Sequence, residues 1–244
     1  MGSTNAIILA AGKGTRMKSD LPKVIHTING KALAEYVIDA VKEAGIDDIC
    51  LVVGYKADQV KENIHRQVDY ALQEEQLGTG HAVMCASQFL DGHDSTLVLC
   101  GDTPLVSGTT LKALTNYHVK NGNSVTALSA IVEDPTGYGR IVRNEAGEFI
   151  CNVEHKDANE EELKINEINS GMYIFDSKEL KLGLSEITTD NAQGEYYLPD
   201  VISVIRNKGL KVGAYAINDE SEILGINTPE QLAVATEIIN KRQA

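Results

Sequence analysis

A glycine-containing segment near the start of the chain has the residues that phosphate binding requires. It reads LAAGKGTRM over residues 9–17 and follows a short apolar run. Its glycines allow successive backbone N–H groups to turn inward around an anion, and Lys13 and Arg16 add positive charge. Lys23 follows a proline a few residues later. In an otherwise acidic chain, this local positive charge predicts a site for a nucleoside triphosphate.

Two other phosphate-binding loops are disfavoured by the same residues. A Rossmann dinucleotide fingerprint needs a third glycine where Met17 stands, and a Walker loop needs G-K-[ST] at its end, which this segment lacks. A pair of glycines after a strand is also typical of a plain strand-to-helix turn. Arg16 and the sequence LPK over residues 21–23 favour the phosphate site over that turn.

Asp102 is a candidate magnesium ligand. It follows Gly101, which ends an apolar run over residues 96–100. Ligands of open α/β sheets bind outside the carboxyl ends of the strands, where this residue would lie. Magnesium prefers oxygen ligands and usually keeps several waters, so one carboxylate and one amide oxygen from the protein would suffice. Asn227 precedes a helix, and taken alone it is as typical of a helix entry as of a ligand.

The elements that must position these residues alternate between strand and helix. Apolar runs predict buried strands at residues 6–9, 49–53 and 96–100, with a short strand near Tyr70. Helical periodicity and caps predict helices over 32–44, 58–66, 79–88 and 110–120. This alternation predicts an α/β fold with a mostly parallel sheet covered by helices on both faces.

After residue 122 the pattern changes. Strands are predicted over 124–132, 139–143, 148–154 and 171–175, followed by a helix over 195–207, a strand over 211–217 and a last helix that begins after Thr228. We expect one domain over 1–244, with a nucleotide-binding part at about 1–122 and 211–244. A smaller β-rich lobe should occupy about 123–210.

Composition limits the partners. Lys plus Arg number 22 against 35 Asp plus Glu, for a formal net charge of −13, so the overall field repels nucleic acid. No apolar run approaches the length of about 18 residues that a membrane span requires. The apolar run at 6–11 is too short for the hydrophobic region of a signal peptide. The cysteines are widely spaced and form no C-x-x-C pair, which favours reduced thiols in a cytoplasmic protein.

The motifs together resemble a known enzyme family. Residues 9–17 followed by 21–23 resemble the signature of the sugar nucleotidyltransferases. Further stretches resemble the N-terminal half of the bifunctional N-acetylglucosamine-1-phosphate uridyltransferases, and they lie at 76–82, 101–102, 137–142, 154–157, 167–171 and 191–197. In order, the motifs extend from Leu9 to Asn227. The chain lacks the hexapeptide periodicity of a β-helical acetyltransferase half, so we expect it to lack acetylation of glucosamine 1-phosphate.

The resemblance implies a fold, a reaction and a cofactor. The fold is a Rossmann-like, mostly parallel mixed sheet of the nucleotide-diphospho-sugar transferase type, with a smaller sugar-binding lobe. The substrates are UTP and N-acetylglucosamine 1-phosphate, and the cofactor is Mg²⁺. Lys23 is assigned to the α-phosphate region and Arg16, with Lys13, to the leaving pyrophosphate. Asp102 and Asn227 are assigned to the metal.

The resemblance also implies the substrate contacts. Along the nucleotide it places Leu9, Ala10, Ala11, Gly12, Lys13, Lys23, Gln73, Gly78, Thr79, Cys100, Gly101 and Asp102. Three of these, Gln73, Gly78 and Thr79, are assigned to the uracil base. Around the sugar it places Gly139, Glu154 and Asn169, and it also counts the metal ligand Asn227 among the substrate-binding residues.

Two other functions remain open. The first is a related nucleotidyltransferase acting on another pair, such as UTP or dTTP with glucose 1-phosphate. The second is a non-catalytic sensor of nucleotide sugars, which would have no need of cations for the leaving group or of metal ligands. Only small-molecule partners are expected, and because the family trimer is built by the β-helical half, we expect a monomer or a weak oligomer.

Overall fold

The structure, a computed structural model, describes residues 2–243 and contains eleven strands and seven helices within them. The strands are β1 Thr4–Ala10, β2 Thr27–Ile28, β3 Lys31–Ala32, β4 Ile49–Val53, β5 Asp69–Leu72, β6 Ser95–Cys100, β7 Val125–Ile131, β8 Arg140–Arg143, β9 Phe149–Val153, β10 Glu167–Asp176 and β11 Val212–Ile217. The helices are α1 Leu33–Glu43, α2 Ala57–Asn63, α3 Thr79–Cys85, α4 Gly108–Asn121, α5 Ser177–Leu184, α6 Asp200–Asn207 and α7 Pro229–Gln243.

A mixed, mostly parallel sheet runs through the centre of the molecule, as the sequence predicts. Its strand order is β11-β7-β10-β6-β1-β4-β5. The strands β6, β1, β4 and β5 are mutually parallel, and β7 is parallel to β11. Antiparallel β10 joins the two parallel groups through β6 and β7. Apolar clusters pack on both faces, which explains why the central strands are uniformly apolar runs.

The parallel arrangement brings the loops after β1, β4 and β6 to one edge of the sheet. The Gly101 N–H donates to the Leu9 carbonyl at 2.9 Å, and the Tyr55 N–H donates to the Ala11 carbonyl at 3.1 Å. A Cβ on Gly54 would lie 2.8 Å from the Ala11 Cβ, so only glycine permits this approach. The glycine-containing segment and Asp102 therefore lie side by side.

The strands expected to form a smaller lobe do not form a sheet of their own. Within the described residues, β7 and β10 pair inside the main sheet, whereas β8 and β9 branch from it. The branch begins where Arg140 of β8 pairs with Ile168 of β10. Sequence patterns report how much of a strand is buried, but they do not report its partner. For this reason the predicted division at residue 123 does not coincide with a break in the main sheet.

The helix predicted over 195–207 is shorter than expected. It begins only at Asp200, because the preceding residues make backbone hydrogen bonds to another part of the chain. The Tyr196 N–H donates to the Leu77 carbonyl at 2.9 Å, and its carbonyl accepts from the Gly80 N–H at 2.8 Å. Residues 195–199 therefore lie against the start of α3. Two other predicted helices, α2 and α3, also end earlier than expected.

The predicted C-terminal end of α4 and the predicted start of α7 are confirmed, whereas α4 begins two residues earlier than predicted. Gly122 ends α4 in the left-handed conformation with φ 62°, and its N–H donates to the Val119 carbonyl at 3.1 Å. Pro229 is the first residue of α7, and the Gln231 N–H donates to Thr228 Oγ1 at 3.3 Å. None of the helices in residues 2–243 combines the length and apolar character that crossing a bilayer requires.

A buried histidine on α4 makes the stability of the fold depend on pH. The Nδ1 atom of His118 lies 3.0 Å from Thr126 Oγ1, and burial lowers the pKa of the imidazole from 6.5 to about 4. Between these two values the unfolded chain binds more protons than the folded chain. The free energy of unfolding should therefore fall as the pH drops from about 6.5 towards 4.

We expect His118→Gln to remove this contribution, because glutamine can still hydrogen-bond to Thr126 but does not titrate. Between pH 7 and 4, the wild-type protein should lose about 3 kcal/mol of unfolding free energy that the variant does not lose. Urea unfolding at a series of pH values measures the difference. His65→Gln, at an exposed histidine, is the matched control. Equal pH dependence in wild type and His118→Gln would contradict the expectation.

Candidate active site

The glycine-containing segment is packed against the short 3-10 helix that begins at Lys23. Gly14 has φ 65°, and a Cβ at this position would lie 2.6 Å from the Lys23 Cβ. A side chain at position 14 would therefore be strained and would push the lysine away. The second glycine of the segment thus serves a close approach, and it places the Lys23 ammonium beside the loop.

The four residues predicted to act on the phosphates and the metal converge at this edge. Lys23 Nζ forms an ion pair with Asp102 Oδ2 and donates to Asn227 Oδ1 at 2.9 Å. Arg16 Nη2 donates to the same Asn227 oxygen at 2.9 Å. Two cations, one carboxylate and one amide oxygen thus come together from three distant segments of the chain.

The side chain of Asn227 is held with its oxygen towards this cluster. Its Nδ2 donates to the Gly225 carbonyl at 3.2 Å, and its backbone N–H donates to Gln231 Oε1 at 2.8 Å. The preceding Ile226 N–H donates to the Asp102 carbonyl at 2.8 Å. Gln231 therefore links the start of α7 to the site.

The donor set of the cluster fits a hard divalent cation. Asp102 Oδ2 and Asn227 Oδ1 both contact the Lys23 ammonium, so two protein oxygens already converge on one positive group. Carboxylate and amide oxygens are the ligands that magnesium takes in proteins. Within residues 2–243, no group of three or more His, Cys, Asp or Glu side chains could hold a metal ion. Any metal at this cluster would need its other ligands from substrate or water.

A cavity of about 270 Å³ adjoins the cluster. Among the described residues it is lined by all of the predicted nucleotide contacts except Lys13 and Gly101. Lys13 instead lies over the ring of Tyr55, with its Nζ 5.5 Å from the ring centroid. Gly101 is hydrogen-bonded to the end of β1, as described above. The structure therefore brings the predicted nucleotide contacts, with these two exceptions, around one space.

Gln73 is placed as a hydrogen-bond acceptor in this cavity. Its side chain is only 3% exposed, although the sequence alone gave no reason to expect burial. Its Nε2 donates to the Gly78 carbonyl at 3.1 Å and lies 3.1 Å from His81 Nδ1. In the His81 tautomer with an unprotonated Nδ1, both amide hydrogens are engaged, and Oε1 remains to accept from a ligand, as the N3–H of a uracil ring would require.

A second cavity of about 260 Å³ lies on the side of β8 and β10. The predicted sugar contacts Gly139, Glu154 and Asn169 all line it. The Gly139 carbonyl accepts from the Asn169 N–H at 2.9 Å, which fixes the two relative to each other. Asn152 Nδ2 donates to Glu154 Oε1 at 2.8 Å. Burial raises the pKa of Glu154. These polar groups suit a ligand that presents several hydroxyls.

Sequence reasoning missed several residues of the segment 193–200. Gln193 and Tyr197 line the second cavity and are joined by a hydrogen bond of 2.8 Å from Nε2 to the phenol oxygen. Glu195 lines both cavities. Burial, together with the nearby Glu154 carboxylate, raises the pKa of Asp200 to about 6. Only the resemblance of residues 191–197 to a family motif drew attention to this segment, because residues 195–199 were predicted to be the start of a helix.

The chain is similar in sequence to known proteins over almost its whole length. Residues 5–221 match the nucleotidyl transferase family. The bifunctional protein GlmU of Thermoanaerobacter pseudethanolicus is 53% identical over 236 residues, which cover 97% of this chain and 51% of that protein. GlmU of Clostridioides difficile is 49% identical over 237 residues, covering 97% and 52%. The chain thus spans about half the length of these relatives.

A solved structure shares the fold. A UDP-glucose pyrophosphorylase complexed with UDP-glucose superposes with a TM-score of 0.81 at 22% sequence identity. The match covers 99% of this chain and 100% of that one. At this identity the likeness concerns the fold, and it supports the mostly parallel mixed sheet described above.

Proposed function

The chain belongs to the nucleotidyl transferase family, and we propose that it transfers UMP from UTP to N-acetyl-α-D-glucosamine 1-phosphate, giving UDP-N-acetylglucosamine and pyrophosphate. The proposal depends most on one observation. Arg16, Lys23, Asp102 and Asn227 form one cluster, and Lys23 and Asp102 of this cluster line the cavity that contains Gln73. That cavity shares part of its lining with the cavity that contains Glu154 and Asn169. A protein that only sensed nucleotide sugars would not need this combination.

In this reaction an oxygen of the sugar phosphate forms a bond to the α-phosphorus of UTP, and the bond from that phosphorus to the bridging oxygen of pyrophosphate breaks. A phosphate monoester has a second pKa near 6, at about the value for phosphorylated side chains, so the nucleophile is already ionised at pH 7. No general base is needed. The residues must instead align two anions and share their charge.

The cations of the cluster suit this task. Lys23 lies beside the α-phosphate position that we infer, and Arg16, with Lys13, would accompany the leaving pyrophosphate. A pair of unit charges at about 4 Å interacts by roughly 4 kcal/mol at an effective dielectric near 20. Because negative charge builds up on the departing phosphate in the transition state, such interactions accelerate the reaction.

Asp102 and Asn227 would hold the magnesium ion. When bound, magnesium neutralises charge on the phosphate oxygens of both substrates. The Lys23 ammonium contacts the same two oxygens in this structure and compensates the negative charge of the Asp102 carboxylate.

Base and sugar recognition would use the two cavities separately. Gln73 would accept from uracil, with Gly78 and Thr79 at the edge of the base. Glu154 would accept from sugar hydroxyls, and Asn169 can both donate and accept. We infer that the chain acts on these small molecules in the cytoplasm, as a monomer or weak oligomer.

Pyrophosphate release with magnesium and UTP tests the proposal. The assay compares N-acetylglucosamine 1-phosphate with glucose 1-phosphate and glucosamine 1-phosphate, and we expect the first to have the highest kcat/KM. Equal rates with all three sugars would contradict the sugar assignment but not the reaction class. A higher rate for glucose 1-phosphate, with UTP or dTTP, would favour the related hexose 1-phosphate enzyme. Absence of pyrophosphate with every sugar would contradict the proposed function.

A further inference from the structure

We propose that Glu195 selects ribonucleotides over 2′-deoxyribonucleotides by accepting hydrogen bonds from the ribose hydroxyls. The inference rests on the proposed function, because it requires that the nucleotide occupies the cavity lined by Gly12 and Gln73. It adds a determinant of nucleotide specificity that lies outside the motif residues assigned above to base, phosphate and metal.

Glu195 lies where the two cavities meet. Among the described residues, four line both cavities, namely Leu9, Thr79, Cys100 and Glu195. The first is apolar. Thr79 Oγ1 already accepts from the Leu198 N–H at 3.1 Å. The Cys100 thiol donates to the Gly171 carbonyl, with Sγ 3.5 Å from the oxygen. Glu195 therefore supplies the charged group at this junction.

The backbone of Glu195 is fixed beside the part of the site that we assign to the base. Its N–H donates to Asn191 Oδ1 at 3.2 Å, and its carbonyl accepts from Asn191 Nδ2 at 2.6 Å. A Cβ built on Gly78 would lie 3.0 Å from the Glu195 Cβ. The backbone hydrogen bonds thus fix the Cβ of Glu195 next to Gly78.

The carboxylate of Glu195 has room for a ligand. The residue is half-buried, and the hydrogen bonds that it makes within residues 2–243 use its backbone, not its carboxylate. A carboxylate only accepts hydrogen bonds, so a partner at this place must be a donor. The phosphates are anions and would be repelled. The donors that the proposed substrates offer are their hydroxyl groups, the acetamido N–H of the sugar and the uracil N3–H, and the last of these is assigned to Gln73.

Position favours the ribose over the hexose. The ribose connects the base to the α-phosphate, so it must lie between Gly78 and Asp102. The hexose cavity has its own acceptor in Glu154, which Asn152 orients. Two carboxylate oxygens also match the two adjacent hydroxyls of a ribose. Removing the 2′-hydroxyl would leave one oxygen of a half-buried carboxylate without its donor, which is a costly change.

The test compares UTP with dUTP as substrates. For the wild-type protein we expect kcat/KM to favour UTP by at least about tenfold, since a site built for a hydroxyl rejects the analogue that lacks it. Glu195→Ala should reduce this preference to within about twofold, and the isosteric Glu195→Gln should give an intermediate value. KM for the sugar 1-phosphate should not change. Glu154→Gln is the matched control, and it should raise that KM but keep the UTP preference.

The outcomes separate this inference from the proposed function. An unchanged UTP preference in folded Glu195→Ala would overturn the inference, as would a raised KM for the sugar with the preference intact, which would place the carboxylate in the hexose subsite. Calorimetric titration with UTP and dUTP, without any sugar, measures the same discrimination in binding. Normal UTP binding without turnover would contradict the proposed function alone.

Discussion

Replacing Asp102 by asparagine is expected to lower turnover by about a thousandfold, because the variant loses one unit of charge at the centre of the cluster. The carboxylate forms the ion pair with Lys23 and is one of the two oxygens on which we expect the metal to bind. An interaction of roughly 4 kcal/mol corresponds to about three factors of ten in rate. The measurement is kcat with saturating UTP, sugar 1-phosphate and magnesium.

A magnesium titration sharpens this prediction. Asp102→Asn should need a higher magnesium concentration for half-maximal rate, since asparagine is a weaker ligand without charge. Asp91→Asn is the matched control, because it also removes a carboxylate paired with a lysine, Lys181, but on the surface. Circular dichroism and thermal unfolding check the fold of both variants. Near-normal turnover of folded Asp102→Asn at the wild-type magnesium requirement would contradict the role.

Arg16→Ala is expected to lower turnover at least about a hundredfold while the fold stays intact. The guanidinium lies on the exposed side of the cluster and contacts Asn227, so its removal opens no cavity in the core. The variant loses the cation that we expect to stabilise the leaving pyrophosphate. In the reverse reaction, KM for pyrophosphate should therefore rise in the variant.

Two further variants distinguish charge from geometry at this position. Arg16→Lys keeps the charge but not the planar fork, so an intermediate rate is expected. Arg206→Ala removes an exposed arginine of α6 and controls for the change in net charge. A folded Arg16→Ala variant with near-normal turnover would refute the role assigned to this residue.

Local signals in the sequence were sufficient to predict the part of the fold that carries the phosphate site. The strand predicted over 49–53 has the observed bounds of β4, because a strand buried on both faces appears as an uninterrupted apolar run. The segment 9–17 and Asp102 could be placed at one edge of the sheet, because both follow predicted strands and the carboxyl ends of parallel strands lie at the same edge.

Long-range pairing could not be predicted in the same way. The antiparallel insertion of β10 between β6 and β7 depends on partners far away in the chain. The loss of the helix over residues 195–199 depends on hydrogen bonds to Leu77 and Gly80. A helical periodicity reports local preference, and these tertiary contacts overrode it.

The residues of the candidate site likewise divide into those that local sequence signals identify and those that they do not. Arg16 and Lys23 stood out because their charge and spacing are unusual in an acidic chain. Asn227 could be assigned only through the resemblance, since an asparagine before a helix is common for structural reasons. Glu195 lies in the stretch 191–197 that resembles a family motif, but no role could be assigned to it until the fold placed it at the lining of two cavities.

A crystal structure with a non-hydrolysable UTP analogue and Mn²⁺ in place of magnesium tests the central claim most directly. Anomalous scattering locates the metal, and we predict a peak bound by Asp102 and Asn227. The triphosphate should lie along residues 12–23. A metal held elsewhere, or phosphates distant from that segment, would contradict the account of how this cluster of charges promotes transfer.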